Sequence, residues 1–275
     1  MTATIERPLA GRVIVITGGA GLIGPHHAAA VTAAGGTAVL LDVRVGSLAL
    51  AVEKARREPE AQVEGAVCDI TDESAVEALA DDLTKRFGGI DGLVNNAARN
   101  PKVEAGNESA FSRFEQFPQA QWSADIAVGL TGAFICAKVF GRAMAARGAG
   151  SIVNISSEYG RLGPDQRLYE IPGVPAAQQP AKPVSYTVVK AGLHGLTLYL
   201  ATYWAAAGVR VNTLVLGGVE NAQPADFLER AASRIPMARM ARPDEFGGAL
   251  VYLLSDAASF VTGSELVVDG GKSAW

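Results

Sequence analysis

The sequence predicts a single-domain α/β fold, a doubly wound parallel sheet with helices on both faces. Two observations carry this. Short β-branched apolar runs alternate with longer helical patterns along the whole chain, and the first run leads into a glycine-rich turn that opens a helix. The first run, Val13–Thr17 (VIVIT), is apolar nearly throughout, as a strand buried on both faces should be. Further strands are expected at Ala38–Leu41, Gln62–Cys68, Gly92–Asn95, Ser151–Ile155, Arg210–Val215 and Glu265–Val268. Helices are expected at Ile23–Ala34, Gly46–Glu58, Asp72–Phe87, Gln121–Arg147, Tyr186–Ala207 and Pro243–Leu254. No repeat, linker or low-complexity tract divides residues 1–275, so they read as one unit. The stretch Arg161–Pro183 holds five prolines inside this pattern and reads as a functional insertion.

Composition narrows the function. The 275 residues are 49% hydrophobic and 19% charged, with a formal net charge of -4. No basic stripe marks a nucleic-acid or anionic-membrane partner. No uninterrupted apolar run approaches the ~18 residues of a membrane span. The two cysteines, Cys68 and Cys136, form no CxxC pair, and the start MTATIERPLAGR lacks the apolar stretch of a signal peptide. A reduced, cytoplasmic setting is expected. His26, His27 and His194 stand at no metal-ligand spacing, so no metal site is expected.

The turn Thr17-Gly18-Gly19-Ala20-Gly21-Leu22-Ile23-Gly24 follows the first strand directly. Glycines there let the backbone approach a pyrophosphate, and the helix N-terminus offers free N–H groups to the anion. Pro25 suits an early helical position. Asp42, ending the second strand, is placed to accept from adenosine ribose hydroxyls and to repel a 2′-phosphate, which favours NAD over NADP; Arg44 softens the preference. Tyr186 and Lys190, four apart, share one helix face. A nearby ammonium and a cationic nicotinamide both favour the phenolate, which makes Tyr186 a workable acid or base for a carbonyl/alcohol pair. Ser157 ends the strand SIVNIS at the edge where such sheets bind ligands, within reach of the same substrate oxygen.

These motifs together resemble the short-chain dehydrogenase/reductase family in its compact branch, from LAGRVIVITGG to SFVTGSELVVDGG. The resemblance implies a Rossmann-type domain and an oxidoreductase moving a hydride between NAD(H) and a secondary alcohol or ketone. It implies that Ser157 polarises the substrate oxygen, that Tyr186 is the proton donor or acceptor, and that Lys190 lowers the tyrosine pKa and holds the nicotinamide ribose. Gly18, Gly21, Leu22 and Ile23 would meet the pyrophosphate, Asp42 the ribose, and Asp69 and Ile70 the adenine. Asn96, Ala97 and Ala98 of Asn95-Asn96-Ala97-Ala98 match the family's strand-end motif beside the cofactor. Gly217 and Val219 of Leu216-Gly217-Gly218-Val219 match its carboxamide-holding segment. Compact members are usually dimers or tetramers built on the helices after the strand-end motif and around the Tyr-Lys pair; a homo-oligomer is expected, most often a tetramer.

Three departures stand out. The rhythm Gly18-x-x-Gly21-x-x-Gly24 is that of the family's nucleotide-sugar branch. Val128-Gly129-Leu130-Thr131-Gly132 has glycine where a catalytic Asn is usual, which would leave room for a water beside Lys190. Leu216 replaces a usual proline. A nucleotide-sugar epimerase or dehydratase therefore stays open as an alternative, as does a non-catalytic cofactor-sensing protein. Asn100–Lys102, Ser112–Glu115, the SSEYG loop, Glu220–Pro224 and Ala274-Trp275 further resemble a subgroup tied to flagellin or surface-sugar modification. That points to a polar, sugar-like substrate. The loop at about 158–185, with Glu158, Asp165, Glu170, Gln178 and Gln179, would form one pocket wall. Residues 219–237, with Asn221, Gln223 and Phe227, would form a mobile lid opposite.

Overall fold

The computed structural model describes residues 7–99 and 113–275. Seven parallel strands form one sheet in the order β3-β2-β1-β4-β5-β6-β7. They are β1 (Val13–Thr17), β2 (Thr37–Asp42), β3 (Val63–Val67), β4 (Gly92–Asn95), β5 (Gly150–Ser157), β6 (Val209–Leu216) and β7 (Glu265–Val268). The chain builds outward from β1 to β3, returns, and builds the other way from β4. The reversal leaves a crevice at the carboxyl ends of β1 and β4, where open sheets of this type bind ligands.

Helices α1 (Gly24–Ala33), α2 (Val45–Ala55) and α8 (Gly247–Leu254) cover one face; α3 (Glu73–Phe87), α5 (Gly132–Arg147) and α6 (Val184–Trp204) cover the other. Two cores result. Ile14, Ile16, Leu40, Val153 and Leu214 point into the first; Val15, Leu41, Leu93, Ile152 and Val211 point into the second. The central strand β1 is buried along its whole length, as expected, whereas β3 and β7 at the sheet edges expose residues on one face. Asp72 caps α3 through Ser74 and Ala75 N–H groups rather than lying inside it.

The expected elements lie within a few residues of the observed ones, with three differences. The helix expected over 121–147 starts at Gln119 and is interrupted: α4 (Gln119–Ile126) passes through a π-turn, Ala127–Thr131, into α5. Its 18-residue apolar window reaches a mean hydropathy of 1.5 and would pass a membrane-span test by composition, but 56% of it is buried inside this fold. The last helix begins at Gly247, four residues after Pro243. A helix not expected, α7 (Ala225–Ala232), occupies the segment read as a lid.

Candidate active site

The glycine turn is shaped by close packing. Gly18 has φ +63°, and a Cβ there would stand 2.7 Å from the Ala97 Cα; a Cβ on Gly24 would meet the Gly19 carbonyl at 2.5 Å. The turn is therefore pressed onto the end of β4 and onto the start of α1, with Pro25 in the first helical turn. Asn96 braces it: its Nδ2 donates to the Thr17 and Gly18 carbonyls at 2.9 and 3.2 Å. The Thr17 hydroxyl accepts from the Asn96 and Ala97 N–H groups. Asn96 thus holds the turn with the side chain that the sequence pattern assigned to the cofactor. Gly21, Leu22 and Ile23 lie at the N-terminus of α1, and a surface cleft of about 390 Å³ opens beside them, with Asn221 reaching its rim.

Asp42 is buried at the end of β2. Its Oδ2 accepts from Ala20 N–H at 3.0 Å, and its Oδ1 from Arg44 N–H at 3.1 Å. The Arg44 guanidinium grips both oxygens, at 3.0 and 3.2 Å. Burial acts to raise this carboxyl, but the hydrogen bonds from Arg44 and Ala20 outweigh it and hold it below the usual carboxylate range. The Arg44 side chain is 57% exposed, so it can leave this pairing for a ligand. Asp69 closes a turn, accepting from the Thr71 N–H and hydroxyl, and Ile70 is buried against Gly132. Gly217 packs on Asp269, a Cβ there meeting its Cα at 2.7 Å, and Val219 bridges to Ala241. Ala98 follows Ala97 in the loop leaving β4. This turn, acid and strand-end set fits a dinucleotide: tight backbone, an open helix N-terminus and a buried acceptor at the ribose position.

The second cluster sits across the crevice. Ser157 ends β5, and Tyr186 and Lys190 lie in the first turns of α6. The Ser157 hydroxyl accepts from the Tyr159 N–H at 3.3 Å, and it lies near enough to the Tyr186 phenol to favour its ionisation. Lys190 is buried, and its Nζ donates to the Ile155 carbonyl at 2.7 Å, 5.8 Å from the centre of the Tyr186 ring. Burial pushes the phenol up, the Ser157 hydroxyl opposes it, and the Glu158 carboxylate adds to the rise. In the protein alone, without the cationic nicotinamide that the sequence reading also invoked, this tyrosine stands above its ordinary range. Burial, then the charge of Lys182, pulls Lys190 down to about 8. The Ser185 hydroxyl, next to Tyr186, donates to buried Asp125 of α4 at 2.5 Å, and Arg99 pairs with the same carboxylate. This network fixes the start of α6.

Other expectations are corrected here. Gly129 leaves no room for a water: a Cβ on it would stand 2.5 Å from Val189 Cγ1, so Val189 fills the place. The polar loop residues are largely spent within the protein. Glu158 pairs with Lys272, Asp165 with Arg167 and Arg234, and Gln179 holds the Ile171 and Val174 backbone. Loop and lid also touch: Arg234 pairs with Asp165, Arg230 donates to the Leu168 carbonyl, and Phe227 lies 5.9 Å from Tyr169. Asn100–Lys102 and Ser112 lie outside the described residues. Among the described residues no three His, Cys, Asp or Glu side chains converge.

Three further groups stand around Tyr186: sequence reasoning missed Lys182, whereas Tyr159 and Tyr169 were among the loop residues of which it expected at least one to touch substrate. Lys182 places its Nζ 4.1 Å from the ring centre, closer than Lys190. Tyr159 meets the ring edge-on at 6.5 Å, and the Tyr169 hydroxyl reaches the Tyr159 hydroxyl at 3.4 Å. Lys182 precedes Pro183 and the start of α6, so no helical spacing tied it to Tyr186 in the sequence. A phenol near a serine hydroxyl, with two ammonium groups within 6 Å of its ring centre, can pass a proton to or from a substrate oxygen.

Residues 12–169, more than half the chain, match the short chain dehydrogenase family, and residues 174–273 match a family described as enoyl-(acyl carrier protein) reductase. The chain belongs to the short-chain dehydrogenase family. It is 37% identical to cis-4-hydroxycyclohexanecarboxylate dehydrogenase of Sinomonas cyclohexanicum, over 96% of this chain and 98% of that one. A gluconate 5-dehydrogenase from Burkholderia cenocepacia, solved with NADP and tartrate, superposes with a TM-score of 0.81 at 30% identity, covering 98% of each chain. NAD+-bound xylitol dehydrogenase gives a TM-score of 0.82 at 27% identity, covering 96% of this chain and 99% of that one. This short-chain dehydrogenase is an oxidoreductase that transfers a hydride at CH–OH groups. Its cofactor class is the nicotinamide dinucleotides. Relatives of matching length are alcohol dehydrogenases, which favours this reading over the nucleotide-sugar alternative drawn from the glycine rhythm.

Proposed function

We propose that this chain is an NAD-preferring dehydrogenase of polyhydroxylated or hydroxy-acid substrates in which Tyr186 is the general acid/base. The observation that carries it is the cluster at the crevice: the Tyr186 ring with the Lys182 and Lys190 ammonium groups 4.1 and 5.8 Å from its centre, and Ser157 at the end of β5 beside it. In oxidation Ser157 orients the carbinol oxygen and Tyr186 takes its proton. NAD, when bound, would supply the hydride acceptor, and its positive ring, with the Lys182 and Lys190 ammonium groups, would oppose the rise that burial gives the phenol. Lys190 would hold the nicotinamide ribose, and Asp42 the adenosine ribose. Gly18, Gly21, Leu22, Ile23, Asp69, Ile70, Asn96, Ala97, Ala98, Gly217 and Val219 would frame the rest of the cofactor. The relatives' names, a hydroxycyclohexanecarboxylate and a polyol, agree with Lys182 and the tyrosine hydroxyls as contacts for a polar substrate.

Copies of the chain would assemble through α5 and α6, as a dimer or tetramer. Val188, Leu198, Tyr199 and Tyr203 of α6 and Phe134 of α5 leave an apolar face exposed on the single chain; light scattering reads the assembly directly. The buried free thiols of Cys68 and Cys136 agree with a cytoplasmic setting.

The loop at 158–185 tests the substrate reading. It packs on itself through Gln179 and on α7 through the Leu168 carbonyl and Arg230, so it stands as a preformed wall. Replacing residues 171–179 by a short glycine-serine link should raise KM for polar alcohols by about 10-fold or more, the scale of one lost hydrogen bond to a charged group. NADH affinity, read by fluorescence titration, should stay nearly unchanged. A shortened enzyme with unchanged KM and substrate preference would remove the loop from the pocket.

A further inference from the structure

Glu158 follows Ser157 directly and is 4% exposed. Its Oε1 accepts from Lys272 Nζ at 2.5 Å, from a residue 114 positions away. Its Oε2 is buried and has no hydrogen-bond partner among the described residues. The same Nζ lies 5.1 Å from the centre of the Tyr159 ring, and Tyr159 meets Tyr186 edge-on. Lys272 therefore touches both the carboxylate beside the serine and the aromatic ring that backs the tyrosine.

The turn presenting Lys272 is tightly built. Asp269 Oδ1 accepts from Gly271 N–H and Oδ2 from Ser273 N–H, at 2.9 and 2.8 Å. Gly270 and Gly271 have φ +67° and +89°. The turn also seats the end of the segment 219–237: Met237 N–H donates to the Gly270 carbonyl, and a Cβ on Gly271 would press on Pro236 at 3.0 Å. One short turn thus joins the lid's end to the residue after the serine.

We propose that Lys272 is a positioning residue for hydride transfer: it neutralises Glu158 and backs the Tyr159 ring, so that the Tyr186 phenol meets substrate in one orientation and beside no unbalanced carboxylate. The inference rests on the reading of Tyr186 as the acid/base. The charged and titratable groups facing this tyrosine are Lys182, Lys190, Glu158, Tyr159 and Tyr169, with Asp165 beside Tyr159 and Asp269 beside Glu158. Of these, Glu158 is the carboxylate that burdens the phenol, and Lys272 is its partner. Desolvation makes such a pair far more consequential than a surface one.

The test compares Lys272→Met, Lys272→Arg, Glu158→Gln and the double variant Lys272→Met/Glu158→Gln. Each is read for kcat against pH in alcohol oxidation and for NADH affinity by fluorescence. Lys272→Met should lower kcat by about 10-fold, less than the ~10² that a 1 Å misplacement can cost. It should also move the rising limb of the profile to higher pH, since an unpaired Glu158 opposes ionisation of Tyr186. NADH affinity should stay within about 2-fold, far short of losing a cofactor contact. Lys272→Arg should restore most of the rate. Glu158→Gln alone should move the limb the opposite way, to lower pH, and the double variant should return it close to the wild type.

A limb unmoved in Lys272→Met, or a double variant as displaced as the single one, would overturn the proposal and leave a structural tie. If Lys272→Met does not fold, Glu158→Gln decides: an unchanged or raised limb overturns the proposal. A Tyr186→Phe control that stayed active would sink the reading of Tyr186 itself, an outcome distinct from an inactive control with unmoved limbs.

Discussion

Tyr186→Phe should lose at least ~10²-fold in kcat, the scale of removing a general acid–base group, with NADH affinity largely retained. The ring stays, so the edge contact with Tyr159 and the position over Lys182 survive. What goes is the phenol hydroxyl and the proton it moves. The pH dependence of the wild type follows with a definite sign. Oxidation needs the phenolate, and burial pushes this phenol up, so kcat for oxidation should climb toward alkaline pH. Reduction needs the protonated phenol and should decline over the same range. A Phe variant with near-normal turnover would assign the proton transfer elsewhere.

The second large effect is expected in cofactor choice. Wild type should favour NAD, because the Asp42 carboxyl is held below its usual range and would face the adenosine ribose. Asp42→Ala should swing the ratio of kcat/KM for NADP over NAD by on the order of 10²-fold, consistent with losing hydrogen bonds to a charged group at about 1.5–3 kcal/mol each. Two effects act together: the carboxylate that would repel a 2′-phosphate is gone, and the Arg44 guanidinium, released from both oxygens, becomes available to it. Steady-state kinetics with both cofactors measure this; a ratio unchanged by the substitution would place the selectivity outside the Asp42–Arg44 pair.

Much of the fold was legible because burial writes itself into strands. Val13–Thr17 and Gly92–Asn95 are central, apolar on both faces and bounded by turn residues, and they were located to the residue. Helix α7 was missed because its eight residues, entered from Pro224, form one short amphipathic face inside a segment of loop composition. The π-turn at Ala127–Thr131 leaves no periodic trace in so apolar a stretch. In the site, the Ser157, Tyr186 and Lys190 cluster was visible as spacing. The partners of the loop carboxylates were not: Asp165 meets Arg234 and Glu158 meets Lys272 across 69 and 114 positions. Such pairs are set by the fold's closure, and no local pattern encodes them. Gly129 shows the same limit, since its neighbour Val189 comes from the facing helix.

The central claim is net hydride transfer between a polar secondary alcohol and NAD at this site, and isotope tracing tests it most directly. Wild-type protein is incubated with NAD and a polyol or hydroxy-acid deuterated at the carbinol carbon, and products are followed by NADH absorbance and mass spectrometry. Reduced cofactor should accumulate, each molecule carrying deuterium from the substrate, in equal moles with the ketone. Cofactor reduced only in passing, with an epimerised alcohol returned, or no reduced cofactor from any polar alcohol in the panel, would contradict the account.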